Sequence, residues 1–579
     1  MKILLVAINS KYIHSALGMH SIYNYCKRKG LDIELCEETI QTPYLKLVAE
    51  IATYKPDIVG INVQIWNKKY VFGLTDVIKK ALKDVKIILG GPEVSFTPKE
   101  SFEECKDVDY ILSGEGENVI YDFVRELENK NECNIKSISE RKSDGTIRYA
   151  SETALINDMS SLGFPYENLD EMLNQHKIVY YESTRGCPFN CSYCLSGNSQ
   201  EVRKIPLNIV LKDLQRFIDK KVPLIKFVDR TYNLDEKHYL PIMKFLAKAD
   251  TDATFHFEIK ADLITDEILD FLSSVPKNRF QFEIGIQSTN KKTLEAINRD
   301  DNWDRLVEVV NKLNSFNNMQ IHLDLIIGLP YETYEIFKKS FNDVYHLNAN
   351  MLQIGFLKIL KGSSIWSTGE YHSYKYMDEA PYEVISTKYI SYFEIRFLKI
   401  MEDLFDYTYN SEHFKNTLNF IVNNIYKGDA FTFYENMTKW WDEKKYYLQG
   451  HNSKKMALLF LDYFKECEPK EYEHIRKILK FDVFTNIPNY KPDELIWNNN
   501  ENKELILSFW RNLDVVHKYL PKYNFSNWRK LRKYYPIEVI EWNPKKNIFE
   551  DTIILANYSG KGAKYEIINK DDFYDTNLL

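Results

Sequence analysis

The first 157 residues alternate short runs of apolar positions with stretches whose apolar residues recur every three or four places. The runs cover residues 2–8, 32–36, 57–63, 86–89 and 109–112, and residues 20–29 form a helix after the first. Apolar runs with helices between them predict parallel strands covered on both faces, a doubly wound Rossmann-like sheet. Ligands of such sheets sit at the carboxyl ends of the strands. Four loops occupy those ends: Asn9-Ser10-Lys11-Tyr12-Ile13-His14, Gln64-Ile65-Trp66-Asn67, Gly90-Gly91-Pro92-Glu93 and Gly114-Glu115-Gly116-Glu117.

Between residues 160 and 369 the pattern repeats with six strands, at 177–182, 224–228, 254–258, 281–286, 320–327 and 351–357. Helices at 207–220, 266–272, 291–296 and 304–315 separate them. Six alternations predict a partial (β/α)6 barrel, open on one side, with its chemistry at the carboxyl ends of the strands. From residue 370 Tyr, Trp, Phe, Asn and Lys dominate, and long helical patterns at 388–406 and 454–466 predict a mainly α-helical region. Its aromatics recur at helical intervals, which marks them as core and not as a nucleic-acid platform. Residues 551–555 and 563–568, joined through Tyr558-Ser559-Gly560-Lys561-Gly562, suit a β-hairpin. The expected domains are 1–157, 160–369 and 370–579, in an α/β protein.

Composition narrows the function. Lys and Arg number 76 against 83 Asp and Glu, a net charge of −7 that argues against a general polyanion-binding surface. The opening apolar stretch is too short for a signal core, and nothing approaches the ~20 apolar residues that cross a bilayer. The expectation is a cytoplasmic protein with reduced thiols. Of its eight cysteines, Cys26, Cys36, Cys105, Cys133 and Cys467 are scattered and read as small buried hydrophobes.

The other three lie together in Arg185-Gly186-Cys187-Pro188-Phe189-Asn190-Cys191-Ser192-Tyr193-Cys194. Three thiolates can hold three irons of a cubane and leave the fourth open to a chelating amine and carboxylate. A structural zinc site needs a fourth ligand, and the nearest histidines, His176 and His238, complete no familiar spacing.

The C-x3-C-x2-C spacing after a first barrel strand resembles radical S-adenosylmethionine enzymes. Phe227-Val228-Asp229-Arg230-Thr231-Tyr232-Asn233 looks like the segment ending that family's second strand. Phe282-Glu283-Ile284-Gly285-Ile286-Gln287-Ser288 is similar to its fourth, and Asp324-Leu325-Ile326-Ile327-Gly328-Leu329-Pro330-Tyr331-Glu332-Thr333 to its fifth. The resemblance implies that Cys187, Cys191 and Cys194 bind a [4Fe-4S] cluster whose open iron takes the methionyl part of S-adenosylmethionine. Phe189 then lies near the adenine. Glu258, Gln287 and Asp324, at strand ends facing the same cavity, would hydrogen-bond its ribose, carboxylate or amino group, and Arg203 and Arg230 are possible carboxylate partners.

A doubly wound domain ahead of such a barrel resembles the cobalamin-binding domain of the family's cobalamin-dependent branch. That places Gln64, Gly90, Gly91 and Gly114 on the cofactor, with the glycines allowing close approach of the backbone. Enzymes of this kind that bind cobalt through histidine carry D-x-H-x-x-G after the first strand. Ser10-Lys11-Tyr12-Ile13-His14-Ser15-Ala16-Leu17-Gly18 lacks the aspartate and spaces His and Gly one residue further apart, so His14 is not assigned to cobalt. The carboxyl-terminal region is similar to accessory domains of the same branch.

The implied activity is reductive cleavage of S-adenosylmethionine to a 5′-deoxyadenosyl radical, used to methylate an unactivated carbon. Alternatives are a cobalamin-associated rearrangement or cyclisation without methyl transfer, and an RNA-modifying methylthiotransferase. The last uses an extra cluster, and the scattered cysteines form no second set. The expected partners are a reductant such as flavodoxin or ferredoxin and a small-molecule or peptide substrate, with no membrane and no nucleic acid. The short link Met159-Ser160-Ser161-Leu162-Gly163-Phe164-Pro165 suits a fixed corner. It predicts that residues 64–67 and 90–93 lie on the same side as residues 187–194.

Overall fold

The structure, a computed structural model, describes residues 1–130, 133–198, 201–497, 502–521, 531–560 and 564–574. They form two compact units, Met1–Ala349 with Gln353–Tyr392, and Asn350–Leu352 with Phe393–Leu579. The division at Tyr392 falls beyond residue 370, where the composition changes.

The first unit opens with a seven-stranded sheet: β1 (Lys2–Asn9), β2 (Asp32–Thr39), β3 (Ile58–Asn62), β4 (Lys86–Gly90), β5 (Tyr110–Leu112), β6 (Ile138–Arg141) and β7 (Ile147–Arg148). Its order is β2-β1-β3-β4-β5-β6-β7. The first five strands are parallel. β1 is apolar from Ile3 to Ile8 because both its faces are covered: Leu4, Val6 and Ile8 enter one core, Ile3, Leu5 and Ala7 the other. The antiparallel pair β6 and β7 extends the edge and is not expected from the pattern. Ile138-Ser139-Glu140-Arg141 and Ile147-Arg148 are too short and polar to show a period.

The barrel follows, with strands Val179–Tyr181, Leu224–Phe227, Thr254–Ile259, Phe280–Gln287, Gln320–Ile327 and Met351–Phe356 side by side in chain order. The first five pair in parallel. Side chains alternate along each strand. Phe255, Phe257, Phe282, Ile284, Leu323 and Leu325 are buried on one face. The other face carries His256, Glu258, Gln281, Glu283, His322 and Asp324, so the inside of this barrel is polar. Helix starts are fixed by Thr265, Asn302 and Thr333, whose side chains accept from the amides of Ile268, Arg305 and Ile336.

The second unit is mainly helical, with Ala430–Glu443, Ser453–Cys467 and Tyr472–Asn486 among its longer helices. Tyr434, Trp441, Phe460 and Trp510 are fully buried there. The expected hairpin is formed by Thr552–Ala556 and Tyr565–Ile568, and Ile537–Ile540 pairs with it as a third antiparallel strand. Residues 561–563 of its turn lie outside the described residues.

Candidate active site

The cysteine loop is fastened at both ends. Asp229, buried just past the second barrel strand, accepts from the Ser183 amide at 2.9 Å, the Ser183 hydroxyl at 2.6 Å and the Thr184 hydroxyl at 2.7 Å. Burial pushes this carboxyl up to about 6, with those hydrogen bonds working the other way. Thr184–Arg185 then pairs antiparallel with Arg203–Lys204 and closes the base of the loop. Further along, the Ser192 amide donates to the Ile297 carbonyl at 2.9 Å, and its carbonyl accepts from the Ile365 amide at 2.8 Å.

Within the loop Cys187 is buried and Cys191 and Cys194 are half-buried. Burial pushes the Cys191 thiol up, the Arg299 guanidinium opposes this, and the nearby Cys194 and Cys187 add to it. The three thiols therefore share one neighbourhood. Among the described residues no three His, Cys, Asp or Glu side chains converge on a single ion position. A cubane asks one thiolate of each of three irons, and all three thiols border one cavity. The remaining cysteines are dispersed: Cys26 and Cys36 are buried in the two cores of the first sheet, and burial pushes both thiols up to about 12. Cys105 and Cys133 are also buried, and Cys467 is exposed.

A cavity of about 260 Å³ opens beside the thiols, lined also by Phe189, Glu258, Glu283, Gln287 and Asp324. The sequence-expected residues for S-adenosylmethionine thus meet in one place. Gln287 ends the fourth barrel strand at a register shift and holds a left-handed φ of 69°. A non-glycine residue there is strained, a condition that gathers at functional positions. Its Oε1 and the Asp324 Oδ1 are buried and have no hydrogen-bond partner. Such orphaned acceptors suit a ligand that brings hydroxyl or amino donors. Burial pushes Glu258 up to about 7, and burial with the charges of Glu283 and Glu258 pushes Asp324 up to about 8. Glu283 goes the other way, because His256 Nε2 lies 3.0 Å from its carboxylate.

Arg203 is not available to a ligand carboxylate: its guanidinium holds both oxygens of Glu115, at 2.7 and 2.8 Å. Sequence reasoning missed this because the partners are 88 positions apart. The available signal was the acidic pair in Gly114-Glu115-Gly116-Glu117, a short loop with two carboxylates and no cation of its own.

A second cavity, of about 830 Å³, lies at the carboxyl ends of β1, β3, β4 and β5, with Gln64, Gly90, Gly91 and Gly114 in its wall. Its size is that of a pocket for a large organic ligand. The glycines serve different ends. A Cβ on Gly91 (φ 108°) would come within 2.6 Å of the Val63 carbonyl, and one on Gly114 (φ 101°) within 2.3 Å of the Ala154 carbonyl. Both are required by the protein's own backbone. A Cβ on Gly90 would meet Leu112 at an ordinary 3.8 Å. Asn67 ties two loops together, donating to the carbonyls of Ile8 and Asn62 at 2.9 and 3.1 Å. Glu93 is buried and accepts from the Tyr382 hydroxyl at 2.7 Å. His14 lines the cavity, yet its Nδ1 is 2.7 Å from the Tyr180 hydroxyl. Arg230 lines both cavities, so the rims of the sheet and of the barrel meet on the same side.

Compared with known proteins, residues 3–124 match the family described as B12 binding domain and residues 181–344 the Radical SAM superfamily. Residues 370–555 match a family described as Protein of unknown function (DUF4080). The chain thus carries a B12-binding segment ahead of a Radical SAM segment, and a [4Fe-4S] cluster, S-adenosylmethionine and cobalamin are the cofactors of that pairing. It is 24% identical over 325 residues to an uncharacterized methyltransferase of Pyrococcus horikoshii, PH0819, covering 55% of this chain and 70% of that protein. The cobalamin-dependent radical SAM methyltransferase TokK of Streptomyces tokunonensis is 21% identical over 328 residues, 52% of this chain. The chain spans about half of TokK, 47% of its length. The cobalamin-dependent S-adenosylmethionine radical enzyme OxsB, solved with aqua-cobalamin and S-adenosylmethionine bound, shares the fold: TM-score 0.58 at 15% identity, over 92% of this chain and 83% of OxsB. Enzymes of this superfamily draw an electron from an external reductant. Among the described residues no helix is long and apolar enough to cross a membrane.

Proposed function

We propose that the protein is a cobalamin-dependent radical methyltransferase acting on an unactivated carbon. In this reading Cys187, Cys191 and Cys194 hold the cluster, Phe189, Glu258, Gln287 and Asp324 contact S-adenosylmethionine, and Gln64, Gly90, Gly91 and Gly114 border the corrin. The functional boundaries are 1–157 for the corrin domain, 160–369 for the radical domain and 370–579 for the accessory region. When bound, the cluster with S-adenosylmethionine supplies a deoxyadenosyl radical and cobalamin a methyl group. The chain's own task is to hold the two sites face to face and keep water out. Gln287 and Asp324 orient the nucleoside through their unpaired acceptors, and Asp229 steadies the cysteine loop.

The observation that carries the reading is the shared wall at Arg230 between the two cavities. A methyl donor and a radical source must reach one substrate, which a common opening allows. Such a substrate is a small molecule or peptide, the reductant is a flavodoxin or ferredoxin, and the setting is the cytoplasm. A methylthiotransferase needs a second cluster, whereas four of the other cysteines are buried as protonated thiols in the cores of the first sheet. The test is anaerobic incubation with labelled S-adenosylmethionine, reductant, cobalamin and extracts of candidate metabolites. Label in a carbon-bound methyl product supports the reading. Deoxyadenosine with an isomerised or cyclised product and no label sinks methyl transfer.

A further inference from the structure

The base of the cysteine loop is gripped by two carboxylates from the turn that follows β5 and the start of the next helix. Arg185 and Arg203 face each other across the two-residue ladder that closes residues 186–202. The Arg185 guanidinium meets the Glu117 carboxylate at 2.5 and 3.3 Å, and its Nε lies 3.0 Å from each oxygen of Glu182. Arg203 holds Glu115 with both amino groups and donates to the Ile156 carbonyl at 2.7 Å. Glu117 is only 3% exposed and also accepts from the Ser21 hydroxyl at 2.9 Å. Ser21 belongs to helix Leu17–Arg28, whose first residues share the wall of the 830 Å³ cavity with Gly114, Glu115 and Gly116. Glu117 and Arg185 line the same cavity, so their ion pair, braced by Ser21, runs from its wall to two residues before Cys187.

An apolar contact would join the two domains at lower cost, since buried ion pairs lose most of their attraction to desolvation. What the forked arginine–carboxylate pair adds is direction, because two parallel hydrogen bonds fix an angle as well as a distance. Two such forks, on neighbouring positions of one ladder, leave the loop base little freedom to translate or turn.

We propose that Glu115 and Glu117 are positioning residues that set the distance and angle between the cysteine loop and the corrin cavity. The inference rests on the reading above, in which the thiols carry the cluster and the cavity carries the corrin. Full-length Glu117→Gln and Arg185→Lys proteins, loaded anaerobically with iron, sulfide and cobalamin, test it against the unaltered protein. Iron and corrin contents report on each site alone. The faster spin relaxation that a reduced cluster imposes on cob(II)alamin reports on their separation.

Unchanged contents with a weakened relaxation effect are expected. Transfer of a methyl group from S-adenosylmethionine to reduced corrin should fall on the order of 100-fold, the scale of a ~1 Å misplacement. Unaltered relaxation and unaltered transfer in both variants overturn the proposal. Where a variant loses its folded circular dichroism, Glu115→Asp takes its place. It keeps the charge and shortens the arm, and it must show the same split or the proposal fails. Absence of iron or corrin from the unaltered protein contradicts the underlying reading instead.

Discussion

Replacing Asp324 by Asn tests the electrostatics of the barrel interior. Desolvation, then the charges of Glu283 and Glu258, raises this carboxyl from an ordinary 3.8 to about 8, with Arg299 opposing. Between those values the folded protein keeps a proton that the unfolded chain has released. Stability therefore falls as pH rises through the interval, and the cost is complete above the folded value. At ~1.4 kcal/mol for each tenfold in proton affinity, the interval bounds the cost at ~6 kcal/mol. An effective dielectric of about 20, with water entering the cavity, brings the expectation to about 2–3 kcal/mol. Asp324→Asn removes the ionisable group, so the variant should match the unaltered protein near pH 4. It should become more stable as pH rises, by a few degrees in the melting of the first unit at pH 9. The assay is thermal unfolding of cofactor-free protein, anaerobically, from pH 4 to 9. A difference that is constant across the series, or a variant less stable at pH 9, refutes a carboxyl held neutral by burial.

Four further outcomes are expected. Asp229→Ala strands the Ser183 amide and two hydroxyls in a buried site, so it should cost about 2–4 kcal/mol in urea unfolding and speed the loss of iron from reconstituted protein. Gly91→Ala should destabilise the first unit by about 1–3 kcal/mol through its strained φ, with the contact on the Val63 carbonyl adding to that, as read by melting temperature. Gly90→Ala should melt as the unaltered protein does and bind cobalamin more weakly in equilibrium dialysis. His14→Ala should leave the cob(II)alamin electron paramagnetic resonance spectrum unchanged, because His14 is paired with Tyr180; nitrogen splitting that disappears in this variant would mean a histidine on cobalt.

The parallel strands were legible because β1, β3 and β4 are apolar on both faces and the barrel strands on one. The period of residues 320–327 coincides with the strand found, and residues 291–296 with the helix. Local pattern failed where burial is local and partial, as in β6 and β7. The cysteine loop and the clustering of Glu258, Gln287 and Asp324 were legible from motif and strand-end position. The strained φ of Gln287 and the pairing of Arg203 with Glu115 were not, since both arise from contacts between segments far apart in the chain. Gly91 and Gly114 show the same limit. The sequence marks them as turn glycines by a cofactor cavity, but the atoms that exclude a Cβ belong to Val63 and Ala154.

Reductive cleavage of S-adenosylmethionine by anaerobically reconstituted protein reads the cysteine assignment with nothing in between. Unaltered protein should hold roughly four irons per chain, as for one cubane, and release 5′-deoxyadenosine when dithionite is added. The variant with Cys187, Cys191 and Cys194 all replaced by Ala should hold no cluster and release none. Deoxyadenosine from that triple variant at the rate of the unaltered protein would contradict the assignment.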